Sequence, residues 1–442
     1  MVLVGLWHDV GRQRPWTHRT YGLFHLYVLC FMRMLMQYAP FLPPRVAVAT
    51  ESIEPLVQWR LGRKAAPLFR KYRPTPSFRA VWIGDPHAPA EPPDTRTIVL
   101  YVHGGGFALG SVALYAELLL RTLSHMSQID PSRTAECVAL EYDLVPQARF
   151  PTPLLQLLHC YAYLIEEEHI PASRIVVAGD SAGGNLAMGL LLCLAGQATA
   201  DVDERDWHAL PMPAKAVLIS PWLDLRPHRA KAVEAVRTRV PPTLDILTPE
   251  CLVQFAQLYT HRLTRPRRMS GPCTRWLTWL QHRRRWRLAA WLAERLARPL
   301  FTHRYPIVPL QDTLSDAVPR ISDLFDASLL AAEPVCAADR LLHTHPLVSP
   351  TLGRWDAVHL EQGLFVTWGE REWMAPDLAA WVARLPRVDT FVEPGTTGVH
   401  VWPFLHALLA SSERERERGL QILAHALCVP ALARHHRSNG DR

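Results

Sequence analysis

The sequence predicts an α/β protein built on a mostly parallel central sheet with helices on both faces. Three observations carry that expectation. Short β-branched apolar runs recur along the chain, each ending in a turn-forming or helix-starting segment. Helical stretches separate these runs, and alternation of strand and helix is the pattern that produces a parallel sheet with its crossovers packed on both faces. The third observation is length. A chain of 442 residues exceeds the roughly 250–300 at which a single core stops growing, so one large domain with inserted or appended pieces is expected.

Taken in order, the strand runs begin with Thr97–Val102, which leads into three glycines, and Cys137–Tyr142, which precedes Asp143 and Pro146. Arg174–Ala178 then precedes Gly179, Ala216–Ile219 precedes Ser220 and Pro221, and Leu364–Trp368 precedes Gly369. Helices are expected over Leu154–Glu167, over Asn185–Gly196 and from near Phe404. From Ser411 an alternating Glu-Arg run reads as the solvated face of a further helix reaching about Ala433. Two regions break the rhythm. Residues 1–90 are expected to form an N-terminal helical or cap region, and 226–340 a cap insertion, leaving 91–225 and 341–435 as the α/β domain itself.

Hydrophobic residues make up 49% and charged residues 20% of the chain, which excludes a disordered chain and a polytopic membrane protein; the 38 prolines imply many loops. The net charge of +7 is unevenly placed. Between Arg262 and Arg304 lie twelve arginines and one acid, Glu294, so the rest of the chain is slightly acidic. A uniformly basic nucleic-acid binder is therefore not expected. The same stretch, 262–304, holds Trp276, Trp279, Trp286 and Trp291 among its arginines, a composition suited to a membrane headgroup boundary. On a helical wheel Arg283 and Arg287 fall inside the tryptophan arc, so the separation is incomplete, and a cap over a pocket is the plainer reading. Residues 22–36 are apolar but contain His25 and Arg33 and fall short of the ~20 residues of a bilayer span. A buried or surface-lying helix is expected there, with a membrane anchor as the alternative, which leaves cytoplasmic and membrane-associated locations open. Eight cysteines with no CxxC pair and no His/Cys cluster suggest neither a zinc site nor a disulfide framework.

The strongest chemical signal is Gly179-Asp180-Ser181-Ala182-Gly183, directly after an apolar strand and directly before a helix-forming run. That context is what a nucleophile elbow requires, with Ser181 as nucleophile: flanking glycines let the chain turn sharply and lift the hydroxyl above the sheet at a helix N-terminus. A second signal, His103-Gly104-Gly105-Gly106-Phe107, follows another strand. Its backbone N–H groups suit a developing oxyanion, where such donors are worth ~3–4 kcal/mol each. A phosphate cradle fits poorly because no Walker lysine follows. A serine hydroxyl needs a base, and the base needs a carboxylate, in the chain order serine, acid, histidine. After the Leu364–Trp368 strand, the Gly369 turn offers Glu370 and Glu372, and farther on His400 lies in a Pro- and Gly-rich loop before a helix.

At this point the chain resembles the hormone-sensitive-lipase-type α/β hydrolases, particularly their steryl acetyl hydrolase-like and arylacetamide deacetylase-like members. The resemblance rests on His103–Phe107 followed by Gly110-Ser111, on Tyr142-Asp143-Leu144-Val145-Pro146 with Phe150-Pro151 behind it, on Gly179–Asn185, on Ser220-Pro221-Trp222-Leu223-Asp224, and on His345–Pro350 through to the histidine loop. It implies an α/β-hydrolase fold with a helical cap, and 91–225 and 341–435 as the catalytic domain. It also implies Ser181, His400 and Glu372 as catalytic residues, with Asp377 as fallback for the acid. Amides of Gly104, Gly105, Gly106 and Ala182 would form the oxyanion hole, and His103 and Asp180 would support it. A glutamate stands where many relatives have aspartate. The implied activity is hydrolysis of hydrophobic, short-acyl esters with no metal or organic cofactor. A lipase or acyltransferase on the same site is one alternative. A non-catalytic small-molecule receptor is another, disfavoured because receptors of that kind lose the histidine.

Overall fold

The structure, a computed structural model, describes residues 67–85, 96–145, 147–199, 202–226, 245–260, 344–395, 398–410 and 412–430, together with positions 32, 33, 36 and 341. In chain order its strands are β1 (Phe69–Tyr72), β2 (Ala80–Ile83), β3 (Arg96–Val102), β4 (Thr134–Leu140), β5 (Ile175–Asp180), β6 (Lys215–Ile219), β7 (Leu364–Gly369) and β8 (Val388–Glu393). They form one sheet in the order β1-β2-β4-β3-β5-β6-β7-β8. From β4 to β8 every pairing is parallel, while β1 and β2 add antiparallel at the β4 edge. The helices are α1 (Val112–Ile129), α2 (Thr152–Glu166), α3 (Ser181–Leu194), α4 (Pro249–Tyr259), α5 (Ala375–Val382), α6 (Trp402–Leu409) and α7 (Glu413–Cys428).

The period-two geometry of strands explains why the apolar runs are nearly continuous. On β3, Ile98, Leu100 and Val102 face the core made with α2 and α3, while Val99 and Tyr101 face the core made with α1, α6 and α7. On β5 and β6 the same alternation sends Val177 and Leu218 one way and Val176 and Val217 the other. Strands covered on both faces cannot show polar alternation. Helix α3 is buried along its whole length, and its Leu- and Ala-rich sequence is apolar on every side to match. Amphipathic α7 buries Leu420, Leu423 and Leu427 while its first turn is polar: Ser412 caps it by accepting from the Glu415 amide, and Glu413 and Glu415 lie in that turn beside the positive helix end.

Three features depart from the sequence reading. Residues 69–83, expected within a helical cap region, form two strands of the main sheet, because β2 pairs its backbone with β4 from Ala80 opposite Leu140 to Ile83 opposite Cys137. A tetrapeptide such as Phe-Arg-Lys-Tyr carries no readable alternation and is a strand only because that edge receives it. Strand β8 was not foreseen either, since as the other edge it is half exposed and mixes Asp389 and Thr390 with its apolar residues. Helix α4 lies inside the expected insertion, yet Cys251, Phe255, Ala256 and Tyr259 are buried in the main core. Its start is locally specified: the Thr248 hydroxyl accepts from the Cys251 amide and Pro249 begins the helix. The stretch 262–304 lies outside the described residues, as does 22–36 apart from Met32, Arg33 and Met36. Among the described residues no helix is long and apolar enough to cross a membrane.

The chain order positions a site. It leaves β3 for β4 on one side and returns to β5 on the other, so the loops at the carboxyl ends of β3 and β5 diverge and open a crevice. Those two loops are the His103–Phe107 and Gly179–Gly183 segments.

Candidate active site

Ser181 follows β5 and is the first residue of α3, with φ of 50°. A left-handed backbone at a non-glycine residue costs about 1–3 kcal/mol and persists only where the surroundings impose it. Here the imposition is packing. A Cβ on Gly183 would lie 2.1 Å from the Val102 carbonyl oxygen, so the turn closes onto the end of β3 only with glycine there. The Ser181 carbonyl accepts from the Trp222 amide at 3.0 Å, and the Asn185 side-chain amide donates to the carbonyls of Trp222 and Val348. The elbow is thereby tied to two of the separated motifs noted in the sequence.

The glycine loop is held from below by Asp180. Its carboxylate accepts from the Tyr101 hydroxyl at 2.6 Å, the Tyr115 hydroxyl at 2.9 Å and the Gly104 amide at 2.9 Å. Burial, and then the charge of Asp180, hold both phenols well above their ordinary range, so they remain donors. Gly104 was counted among the oxyanion donors, but its N–H is spent on Asp180, which makes it an anchor of the loop. Gly105 and Gly106 have φ of 113° and 61°, and their amides donate to no protein group among the described residues. Ala182 stands in the first turn of α3, where N–H groups have no partner within the helix. His103 stacks on Tyr142 with ring centroids 4.4 Å apart, and the Tyr142 hydroxyl donates to the His103 carbonyl, so this histidine braces the loop from behind. From the insertion, Phe255 of α4 packs against Gly106, and Tyr259 stacks on Phe107 at 3.8 Å.

His400 reaches the elbow from the loop after β8. Its Nε2 is 2.9 Å from Ser181 Oγ, and its Nδ1 is 3.1 Å from Glu372 Oε2. All three side chains are enclosed: Ser181 is 8% exposed, His400 3% and Glu372 0%. An Nδ1–H donating to the carboxylate leaves the Nε2 lone pair facing the serine hydroxyl, the tautomer a general base needs. Burial alone would lower the His400 pKa, but the hydrogen bond and charge of Glu372, with Asp245 and Asp180 behind, outweigh it and raise the imidazole above its ordinary 6.5. Glu370, the other acid of the turn, is exposed and accepts from the Gly395 amide. Asp377 lies in α5 near Arg226. Of the three candidate acids, the fold delivers Glu372 to the histidine.

Two residues that sequence reasoning passed over complete the surroundings. The Ser220 hydroxyl accepts from the Val401 amide at 3.0 Å, where Val401 itself has φ of 50°. Asp245 accepts from the His400 amide at 3.0 Å and the Trp373 amide at 2.8 Å. Ser220 stood inside a quoted motif, but nothing around Asp245 in the sequence marks it. No group of His, Cys, Asp and Glu among the described residues could hold a metal ion.

A family model described as alpha/beta hydrolase fold matches residues 99–275. An acetyl-hydrolase of Streptomyces hygroscopicus is 36% identical over 132 residues, which are 30% of this chain and 38% of that protein. Neutral cholesterol ester hydrolase 1 of Mus musculus is 36% identical over 116 residues, 25% of this chain and 26% of that protein. The chain thus spans well under two thirds of the length of these curated relatives. Among solved structures, an esterase from the bacterial hormone-sensitive lipase family aligns over 90% of this chain and 97% of its own, with a TM-score of 0.50 at 19% identity, a likeness of fold.

Proposed function

We propose that this chain is an α/β hydrolase of the hormone-sensitive-lipase type and that it hydrolyses carboxylic esters through Ser181, His400 and Glu372. One observation carries the reading: a continuous hydrogen-bonded path from a strained, buried serine through a histidine to a buried carboxylate, beside a loop that presents two unengaged glycine amides. In this reading Ser181 Oγ attacks the ester carbonyl carbon while its proton passes to His400 Nε2. The carbonyl oxygen becomes an oxyanion held by the amides of Gly105, Gly106 and Ala182. Collapse of the tetrahedral intermediate expels the alcohol, which takes the proton from His400, and leaves an acyl group on Ser181. Water then attacks the acyl carbon, giving its proton to His400, and the carboxylic acid departs as Ser181 regains its hydrogen. Glu372 keeps the imidazole in the working tautomer and stabilises its charged form. No step calls for a metal or an organic cofactor.

The substrates proposed are hydrophobic esters with a short acyl group such as acetyl. Phe107, Trp222, Phe255 and Tyr259 gather beside the oxyanion loop, with Phe107 and Trp222 centroids 5.9 Å apart, which favours an apolar, uncharged ligand. The acetyl preference is supported by the name of the Streptomyces relative and by the sequence resemblance. The test is hydrolysis of p-nitrophenyl acetate and longer-chain p-nitrophenyl esters, together with fluorophosphonate labelling. Turnover falling as the acyl chain lengthens and a label at Ser181, absent in Ser181→Ala, are expected. No labelling of native protein would sink the enzyme reading, and equal turnover of all chain lengths would sink the short-acyl one.

A further inference from the structure

Asp245 lies in the segment 226–340 that the sequence set aside as a cap insertion, 64 positions after Ser181, yet it is 1% exposed and sits behind the histidine. Both of its carboxylate oxygens accept hydrogen bonds. Oδ1 takes the His400 amide at 3.0 Å and its neighbour's, Ile246, at 2.8 Å; Oδ2 takes the Trp373 amide at 2.8 Å. Trp373 directly follows Glu372. One side chain therefore grips the backbone of the proposed base and the backbone beside the proposed acid. Among the described residues its hydrogen-bond partners are these three amides, and no arginine, lysine or histidine side chain is ion-paired with it.

The need for such a grip follows from the loops it holds. The His400 turn is strained at Val401, and the Ser220 hydroxyl and the Asp245 carboxylate hold the two consecutive amides of His400 and Val401. The acid turn is anchored on its other side by the Glu370 and Arg371 amides, which donate to the carbonyls of Glu393 and Gly398. Without the Asp245 carboxylate, the amides of His400, Ile246 and Trp373 would lose their acceptor and the 3.1 Å contact between Glu372 and His400 would rest on fewer supports.

We infer that Asp245 is a positioning residue for the proposed reaction, a second buried carboxylate that sets the geometry of the Glu372–His400 pair and favours the positive imidazolium. The proposal rests on the serine hydrolase reading above. Among the described residues the main charged groups bearing on His400 are Glu372 through its hydrogen bond, Asp245 across the loop backbone and Asp180 beneath the elbow, all negative. Removing one of these charges makes the imidazolium less favourable, so the deprotonated, active form persists to lower pH.

Asp245→Asn is the informative variant. Its oxygen can still accept from His400, but its amide nitrogen would face the Trp373 N–H, donor against donor. In p-nitrophenyl ester hydrolysis kcat is expected to fall about 10–100-fold, as small misplacements of reacting groups do, with KM little changed and the acid limb of the kcat/KM profile displaced to lower pH. Fluorophosphonate labelling of Ser181 should continue at a reduced rate. If Asp245→Asn yields no folded protein, Asp245→Ser, small enough to admit a water and uncharged, carries the same expectation. Wild-type rate with an unmoved acid limb would overturn the inference, and so would a variant that only melts earlier without any shift of the limb. Failure of the wild-type chain to be labelled would instead remove the reading on which the inference rests.

Discussion

The two halves of the candidate site are built by different means. The nucleophile half, at the carboxyl ends of β3 and β5, is made of backbone: a Gly-x-Ser-x-Gly turn pressed against the neighbouring strand β3 and a glycine loop in which the amides of Gly105 and Gly106 have no protein partner among the described residues. The base half, beyond β7 and β8, is made of side-chain hydrogen bonds between segments far apart in sequence, with Glu372, Ser220 and Asp245 converging on one loop. A backbone-built turn needs its residues contiguous. A side-chain-built loop does not, so its parts are scattered and each is individually unremarkable.

This difference can be broken or sharpened by mutation. The largest effect is expected in the base half from Glu372→Ala, which removes the partner of His400 Nδ1; kcat should drop by about 10³–10⁴-fold in ester hydrolysis. The acid limb of the pH profile, expected in the parent above the ordinary histidine range because the imidazole pKa is raised, should move down. Undiminished turnover would reject Glu372 as the acid while leaving Ser181 and His400 untouched. In the nucleophile half, Asp180→Ala leaves two tyrosine hydroxyls and the Gly104 amide without their acceptor. At about 1–3 kcal/mol for each buried group left unpaired, denaturant unfolding should show a loss of several kcal/mol, with activity falling alongside. A variant as stable as the parent would show that the loop's support lies elsewhere.

The smallest effect is expected at the opposite, amino-terminal end of the parallel strands, where Lys215 begins β6 with its ammonium donating to the Val429 carbonyl. Burial lowers its pKa from 10.5 to about 8. A folded-state pKa below the unfolded one means that the unfolded chain binds more protons between about pH 8 and 10.5, so this group's contribution to stability rises with pH across that window. Lys215→Met should flatten that rise in thermal melts while leaving ester hydrolysis unchanged. A change in kcat would show that the two ends of the sheet are coupled.

Much of this was legible in the sequence because it depended on local patterns. Five parallel strands showed as β-branched runs, since strands buried on both faces must be apolar throughout. Ser181 showed because an elbow can be written in only a few residue types. His400 showed from its place in a turn-rich loop after the last recognised strand. The residues by themselves narrowed the acid to a turn and the family resemblance pointed to Glu372: Glu370 and Glu372 are chemically alike, and which one faces inward depends on how the turn is pinned by Glu393, Gly398 and Asp245. The edge strands β1 and β8 were missed because an edge strand is half solvated and gains its conformation from the neighbour it pairs with.

By itself, then, the amino-acid order determined the class of sheet, the candidate nucleophile and the two glycine turns, all of which follow from steric limits and burial acting over five to ten residues. Tertiary structure alone decided that Gly104 anchors the loop instead of serving an oxyanion and that Asp245 belongs to the site. The physical reason is that each of those outcomes is a competition for one hydrogen-bond partner, and the competitors meet only after the chain has folded.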